Sequence, residues 1–325
     1  MESTTKTHFS PETIASLVQA HFGTAAAIAK IEALTAGWFN TAYRIDFNNG
    51  DPGLVLRIAP HPEQRVLTYE RELMRKELQV YSLLAGHPEL RAPRLLAADT
   101  SRRLIERDFM FTEQLQGQAL DTLQPHLSQA AKDEIEAQLG SLMAAMHQVT
   151  NPAFGYFGAG PGAGSPTWRA AFTAFVAALL ADGEALQVEG IPYLEIQGLV
   201  TRYGSCLEAI RTPRLVHWDL WAGNVFVRPA GESYQVEGLI DWERTFWGDP
   251  EAETALCCRF YGPAFFGAYG RELATGQEAE IRQALYRLYL WLIMLIEDKV
   301  RFGGADHIPW VRMQFEKDLD WLRAQ

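Results

Sequence analysis

Between Leu215 and Asp241 the chain sets three polar side chains at fixed spacing inside otherwise apolar strands, and this stretch constrains the fold more than any other. Leu215 and Val216 lead into His217-Trp218-Asp219-Leu220-Trp221-Ala222-Gly223-Asn224. Val225, Phe226 and Val227 then form a short β-branched and aromatic run, and Pro229 to Glu232 read as a turn. Tyr234 to Ile240 read as the returning strand, with Val236, Gly238 and Ile240 on one face, and Asp241 follows. Asn224 thus enters a β-hairpin that Asp241 leaves, so both side chains come to the same end of it. A lone Asp after a strand is usually a turn residue or a helix cap. Two carboxylates and a carboxamide at one hairpin mouth are the set that phosphoryl transfer needs. One carboxylate orients or deprotonates a hydroxyl, while the amide oxygen and the second carboxylate hold the magnesium that bridges nucleotide phosphates.

Asn224 lies five positions after Asp219, the Asp-x-x-x-x-Asn spacing of kinase catalytic loops. The segment resembles the aminoglycoside phosphotransferase family of kinase-fold small-molecule kinases. The family pattern, His-Gly-Asp, four residues, Asn, then Ile-Asp and Gly-Asp-Pro, stands here as His217-Trp218-Asp219, Asn224, Ile240-Asp241 and Gly248-Asp249-Pro250. Trp218 replaces the usual glycine, either narrowing the acceptor pocket or plugging the space beneath the loop. The resemblance implies an α+β, protein-kinase-like fold of two lobes. Residues 1–116 would form a nucleotide-binding lobe of antiparallel sheet plus helix. Residues 117–325 would form a mainly helical catalytic and substrate-binding lobe carrying the catalytic hairpin. It implies ATP and Mg²⁺, with Asp219 accepting the hydroxyl proton, His217 bracing the catalytic loop, and Asn224 and Asp241 as metal ligands.

On the nucleotide side, the loop from Thr35 to Thr41 resembles the family's Gly-x-x-Asn loop, where backbone N–H groups near Gly37 and Asn40 would face phosphate. Arg57, flanked by Leu56 and Ile58, takes the strand position of the phosphate-neutralising cation, with Glu77 as its expected partner and Glu70 and Glu72 as alternatives. The segment Thr112 to Gly117 would offer the Glu113 carbonyl and the Leu115 N–H to adenine. On the acceptor side the candidates are Trp218, Trp221 and Glu243. Glu243 and Arg244 are also expected to pair with each other or with the large lobe. Asp249-Pro250 reads as a helix N-cap followed by proline at the first helical position.

The chain has 325 residues, 48% hydrophobic and 21% charged, ample for two lobes and a large core. A net charge of -11 argues against nucleic acid or an anionic membrane as partner and is compatible with a small, cationic acceptor. Met1 to His8 is polar, without the apolar core of a signal peptide, and the apolar run Leu288 to Ile296 is too short to span a bilayer, so a cytoplasmic location is expected. Cys206, Cys257 and Cys258 lack metal-ligand spacing and read as buried thiols in a reducing compartment.

Ser10-Pro11-Glu12 opens a first helix with Ile14, Leu17, Val18 and Phe22 on one face and Gly23 at its end. Strands fit 29–34, 42–47, 54–59, 94–98 and 109–113, with Asn48-Asn49-Gly50 as a turn and a helix over 67–85. Ser128 caps a further helix, and others fit 165–182, 192–210, 250–260, 277–301 and 310–322. Gly155 to Gly164, rich in glycine, reads as a mobile surface loop. The expected activity is ATP-dependent O-phosphorylation of a small molecule, an amino-sugar, an aminoglycoside-like compound or a related metabolite. Ketoamine or amino-alcohol kinases and a nucleotide-binding pseudokinase remain as alternatives.

Overall fold

The computed structural model describes residues 3–23, 27–48, 50–257, 261–303 and 309–325. Asn49, Cys258 and Phe260, and the side chain of Cys257, lie outside what is described. α1 (Pro11–Phe22) starts where the Ser10 hydroxyl accepts the Thr13 N–H and stops at Gly23, whose φ of 82° ends the helix. Its buried residues Ile14, Leu17 and Val18 pack on Tyr43, Ile45, Leu56, Phe109 and Phe111. Those residues belong to a five-stranded antiparallel sheet in the order β1-β2-β3-β5-β4. The strands are β1 (Ile28–Leu34), β2 (Thr41–Phe47), β3 (Leu54–Ile58), β4 (Leu95–Asp99) and β5 (Phe109–Glu113). In β3 burial alternates, with Leu54, Leu56 and Ile58 inward, so Arg57 leaves the opposite face toward the cleft.

The helix expected over 67–85 is divided. A 3-10 turn (Thr68–Glu70) and a left-handed Glu72, φ 53°, precede α2 (Leu73–Leu84). Tertiary contacts override helix propensity here. Asp182 accepts from the Thr68 N–H and hydroxyl at 2.6 and 2.8 Å, and Glu70 turns back to the Leu67 N–H at 2.8 Å.

Beyond β6 (Gln118–Ala119) the chain is mainly helical: α3 (Leu120–Leu123), α4 (Gln129–Met146), α5 (Trp168–Ala185), α6 (Tyr193–Arg202) and α7 (Gly204–Leu207). α5 starts after its cap Thr167 and not at Ser165, because Ser165 bridges to Phe154. β7 (Gly155–Tyr156), β8 (Arg214–Val216) and β11 (Phe246–Gly248) form a small sheet with β11 central. The glycine-rich segment therefore begins as buried strand and not as surface loop. Gly155 sits at φ 114°, and a Cβ there would lie 2.0 Å from the Gly162 carbonyl oxygen, which excludes any other residue. After β11 come α8 (Glu251–Cys257), α9 (Pro263–Tyr269), α10 (Gln277–Phe302) and α11 (Pro309–Arg323). Among the described residues no helix is long and apolar enough to cross a membrane.

The catalytic hairpin is β9 (Val225–Ala230) against β10 (Ser233–Leu239). Ala230 faces Ser233, so the turn is shorter than expected and Pro229 belongs to the strand. A bulge at Glu237 shifts the register, so Val236 and Leu239 are buried while Gly238 faces Leu115, 2.8 Å from where its Cβ would lie. The released Glu237 carboxylate accepts the N–H groups of Gln116 and Gly117 at 3.1 and 2.6 Å, anchoring the connection between lobes to the hairpin.

Candidate active site

Arg57 is the centre of a charge cluster between β3, α2 and the turn after β10. Its Nη1 donates to Glu77 Oε1 at 2.5 Å, and its Nη2 donates to Asp241 Oδ1 at 2.8 Å and to Glu243 Oε2 at 3.0 Å. The α2 partner is Glu77; Glu70 and Glu72 make no contact with Arg57 among the described residues. Asn40 closes the same cluster from above, its Nδ2 donating to Glu243 Oε2 at 2.8 Å. Three carboxylates against one guanidinium leave a formal charge of -2 when all are ionised. Burial pushes Glu77 up to about 7, with Arg57 opposing and the Asp241 charge adding. Burial also raises Glu243 well above the carboxylate range, again reinforced by Asp241. Burial opposes the charge on Arg57, but the three carboxylates outweigh it and keep the guanidinium protonated.

The catalytic loop is held from two directions. The buried His217 accepts the Asp219 N–H at Nδ1 (3.2 Å), which leaves Nε2 to donate to the Ile240 carbonyl at 3.0 Å. That fixes the neutral Nε2–H tautomer and ties the loop to the hairpin strand preceding Asp241. Beneath it, the buried Glu253 of α8 accepts the N–H groups of His217 and Trp218 at 3.1 and 3.0 Å, with His147 Nε2 at 3.4 Å. Trp218 and Asp241 both adopt φ 67°, turns that these hydrogen bonds hold in place. Asn224 Nδ2 donates to the Asp219 carbonyl (2.8 Å) and to Oδ2 (3.1 Å), so its Oδ1 points away and accepts nothing among the described residues. Its carbonyl accepts the Ile240 N–H at 3.0 Å, which closes the hairpin mouth. Burial raises the Asp219 carboxyl above the ordinary aspartate range; Arg244 opposes this and the nearby Asp241 reinforces it.

Arg244 leads to a buried charge cluster joining both lobes. Its Nη2 contacts Glu297 at 2.9 and 3.0 Å, Arg301 Nη1 donates to Glu297 at 3.0 Å, Arg301 also pairs with Glu70, and the Tyr69 hydroxyl donates to Glu297. Two cations balance two carboxylates there.

The donor set fits a magnesium ion on the nucleotide side. The unpaired Asn224 Oδ1 and the Asp241 carboxylate are the hard oxygens that Mg²⁺ takes from a protein.

The structure thus brings together Asn40, Arg57, Glu77, Asp241 and Glu243, and beside them His217, Asp219 and Asn224. Two of the expected acceptor residues lie elsewhere. Trp218, 2% exposed, packs its indole on Phe246 and Tyr289 and is the plug beneath the loop. Glu243 is spent on Arg57 and Asn40, because the turn after Asp241 aims it at the small lobe. Trp221 remains exposed beside the loop. Gly37 is exposed at the loop tip, Glu113 pairs with Arg94 at 2.9 Å, and Leu115 lies against Gly238. Asp249 caps α8 through the Glu251 N–H and is held by Tyr286 at 2.7 Å, a structural role. Glu253 and Glu297 escaped the sequence reading. An acid in the first turn of a capped helix, or late in a long one, carries no local sign of its partner.

The model of the phosphotransferase enzyme family matches residues 30–290. A probable ketoamine kinase of Enterococcus faecium is 34% identical over 86 residues, 26% of this chain and 29% of that protein. A candidate fructosamine-3-kinase of Haemophilus somnus 129PT superposes with TM-score 0.69 at 17% identity, covering 96% of this chain and 97% of that one. A thermostable mutant of the aminoglycoside phosphotransferase APH(4)-Ia, in complex with AMP-PNP and hygromycin B, superposes with TM-score 0.61 at 19% identity, covering 95% and 98%. With four-fifths of its length matched and the two-lobe kinase-like fold in place, the chain belongs to the phosphotransferase enzyme family.

Proposed function

We propose that this phosphotransferase moves the γ-phosphoryl group of ATP to a hydroxyl of a small ketoamine-like acceptor. The observation that carries the reading is the convergence of Asp219, Asn224, Asp241 and Arg57 on one cleft. Asp219 orients the acceptor hydroxyl and takes its proton, and its raised carboxyl basicity suits that task. Arg57, held by Glu77, neutralises the α- and β-phosphates. Asn224 Oδ1 and Asp241 would hold Mg²⁺, which would supply positive charge against the nucleotide phosphates. His217 keeps the loop in register through its fixed tautomer and moves no proton.

Three features favour a ketoamine over a polycationic aminoglycoside. Around Asp219 the acids Glu297 and Glu70 are already paired with Arg244 and Arg301, so among the described residues these two acids are not free to meet several ammonium groups. The exposed Trp221 offers a flat apolar face to a sugar-like chain. The relative matched by sequence is named for a ketoamine substrate, while the similar solved structures, named for fructosamine and for aminoglycosides alike, do not separate the two classes.

The test is ADP release from MgATP across ketoamines, aminoglycosides, macrolides and amino alcohols. Stimulation by ketoamines is expected, falling by roughly 10²–10⁴-fold in Asp219→Asn while MgATP still binds. Equal turnover in that variant would remove Asp219 from its role, and stimulation by aminoglycosides alone would overturn the acceptor class. ATP binding with no stimulation by any class would favour a nucleotide sensor.

A further inference from the structure

Residues 3–9, polar up to Phe9 and without a motif, lie as a strap across the loop between β1 and β2. At one end the Thr4 N–H and hydroxyl donate to the carbonyls of Arg301 and Val300 at 3.3 and 3.1 Å, at the C-terminal end of α10. At the other end the Thr7 N–H donates to Thr41 Oγ1 at 3.0 Å and the Phe9 N–H to the Tyr43 hydroxyl at 2.8 Å. Lys6 Nζ reaches the Thr35 carbonyl at 3.1 Å. In the middle, the buried Thr5 hydroxyl lies 2.9 Å from the Trp38 carbonyl and 3.0 Å from the Phe39 carbonyl, and Ser3 Oγ lies 2.9 Å from it on the other side. The Thr5 hydrogen is shared between the two carbonyls, and Ser3 supplies the hydrogen that Thr5 accepts.

These contacts decide where the loop amides point. In a trans peptide the carbonyl and the following N–H face opposite ways, and the chain has no cis peptide bond among the described residues. With the carbonyls of Trp38 and Phe39 turned to the strap, the N–H groups of Phe39 and Asn40 are turned away from it. Neither donates to a protein group among the described residues. The loop is pinned from the same side by Arg301 over the Phe39 ring at 5.5 Å and by Trp38 edge-on to Phe302 at 5.4 Å. Asn40, through Glu243, joins the loop to the Arg57 cluster.

We propose that Thr5 is a positioning residue for nucleotide phosphate: it presets the Phe39 and Asn40 amides as an anion-binding pair, and the strap carries this setting from the large lobe to the loop. The proposal rests on the ATP reading above. Pre-oriented amides lower the ordering cost of binding phosphate and leave adenine recognition alone.

Calorimetric titration of the full chain with MgATP and, separately, with adenosine tests it, using Thr5→Val, which keeps the shape and removes the hydroxyl, and Thr5→Ser, which restores it. Thr5→Val should weaken ATP about tenfold, the loss of one hydrogen-bonded anchor. It should leave adenosine unchanged, and Thr5→Ser should recover ATP affinity. Equal ATP affinity in Thr5→Val overturns the proposal alone. Parallel loss of ATP and adenosine also overturns it, since that marks a general structural defect. Failure of the unsubstituted chain to bind ATP overturns the nucleotide reading and this inference with it.

Discussion

At Arg57 one guanidinium answers three carboxyl groups, two of which burial holds toward their protonated form. Asp241 gives one oxygen to Arg57 and is the carboxylate nearest the hairpin mouth. Asp241→Ala should abolish the magnesium dependence of ATP binding, measured as affinity with and without Mg²⁺; a variant that keeps this dependence would sink the metal assignment. Glu77 has a second consequence. Its folded carboxyl titrates near 7, above the 4.5 of an ordinary glutamate, so the folded state holds more protons between those values. Its contribution to stability is full below pH 4.5 and is lost as pH rises through about 7. Glu77→Gln, neutral throughout, should flatten the decline in unfolding free energy across that window. An unchanged pH slope in chemical denaturation would contradict the assignment. Both residues stand out in the sequence, a charge amid apolar strand residues and an acid on the next helix. Of the other members of the cluster, Glu243 and Asn40 carry no local sign that they meet.

Among the elements, α8 does more than cap the site. Its Glu253 accepts two consecutive loop amides, and removing the carboxylate strands both donors in a buried position. Glu253→Ala should cost about 3 kcal/mol of stability in urea unfolding and lower kcat more than it raises the KM for ATP. A loss confined to stability would make Glu253 a scaffold residue only. The elements themselves divide by how local their causes are. α1 was legible because Ser10, Pro11 and Gly23 mark its ends and its apolar spacing marks its face. The strands of the first sheet were legible from alternation bounded by turns. The break at Glu72, the bulge at Glu237 and the strand at Gly155–Tyr156 were not, because each is imposed by a partner far along the chain: Asp182 and Arg301, the amides of Gln116 and Gly117, and β11.

Across the whole molecule, the two lobes are joined by buried charge as well as by the connecting chain. Tyr69 and Glu70 come from the segment before α2, Arg244 from the turn after the hairpin, and Glu297 and Arg301 from α10. Such a cluster is costly to desolvate and costly to break. Glu297→Ala should destabilise the chain by about 3–5 kcal/mol, because Arg244 loses its carboxylate and Arg301 keeps only Glu70. Thermal and urea unfolding would measure it; a change below about 1 kcal/mol would mean that water reaches the cluster and replaces the carboxylate. The strap over the loop between β1 and β2 ends at the same stretch of α10.

The chemistry of this chain was written in its sequence wherever the acting groups sit at fixed local spacing. Asp219 and Asn224 are five residues apart on one loop, and Asp241 is set beside them by one hairpin, so pattern alone brought these three together and showed the strands of the first sheet and the family resemblance. What the tertiary structure decided is how those groups are held and charged. The surplus of carboxylates at Arg57, the burial of Trp218, the grip of Glu253 on the loop and the strap over the phosphate loop all join residues tens to hundreds of positions apart. Such contacts leave no periodicity to read, because they are selected by packing and by the need to pair each buried polar group.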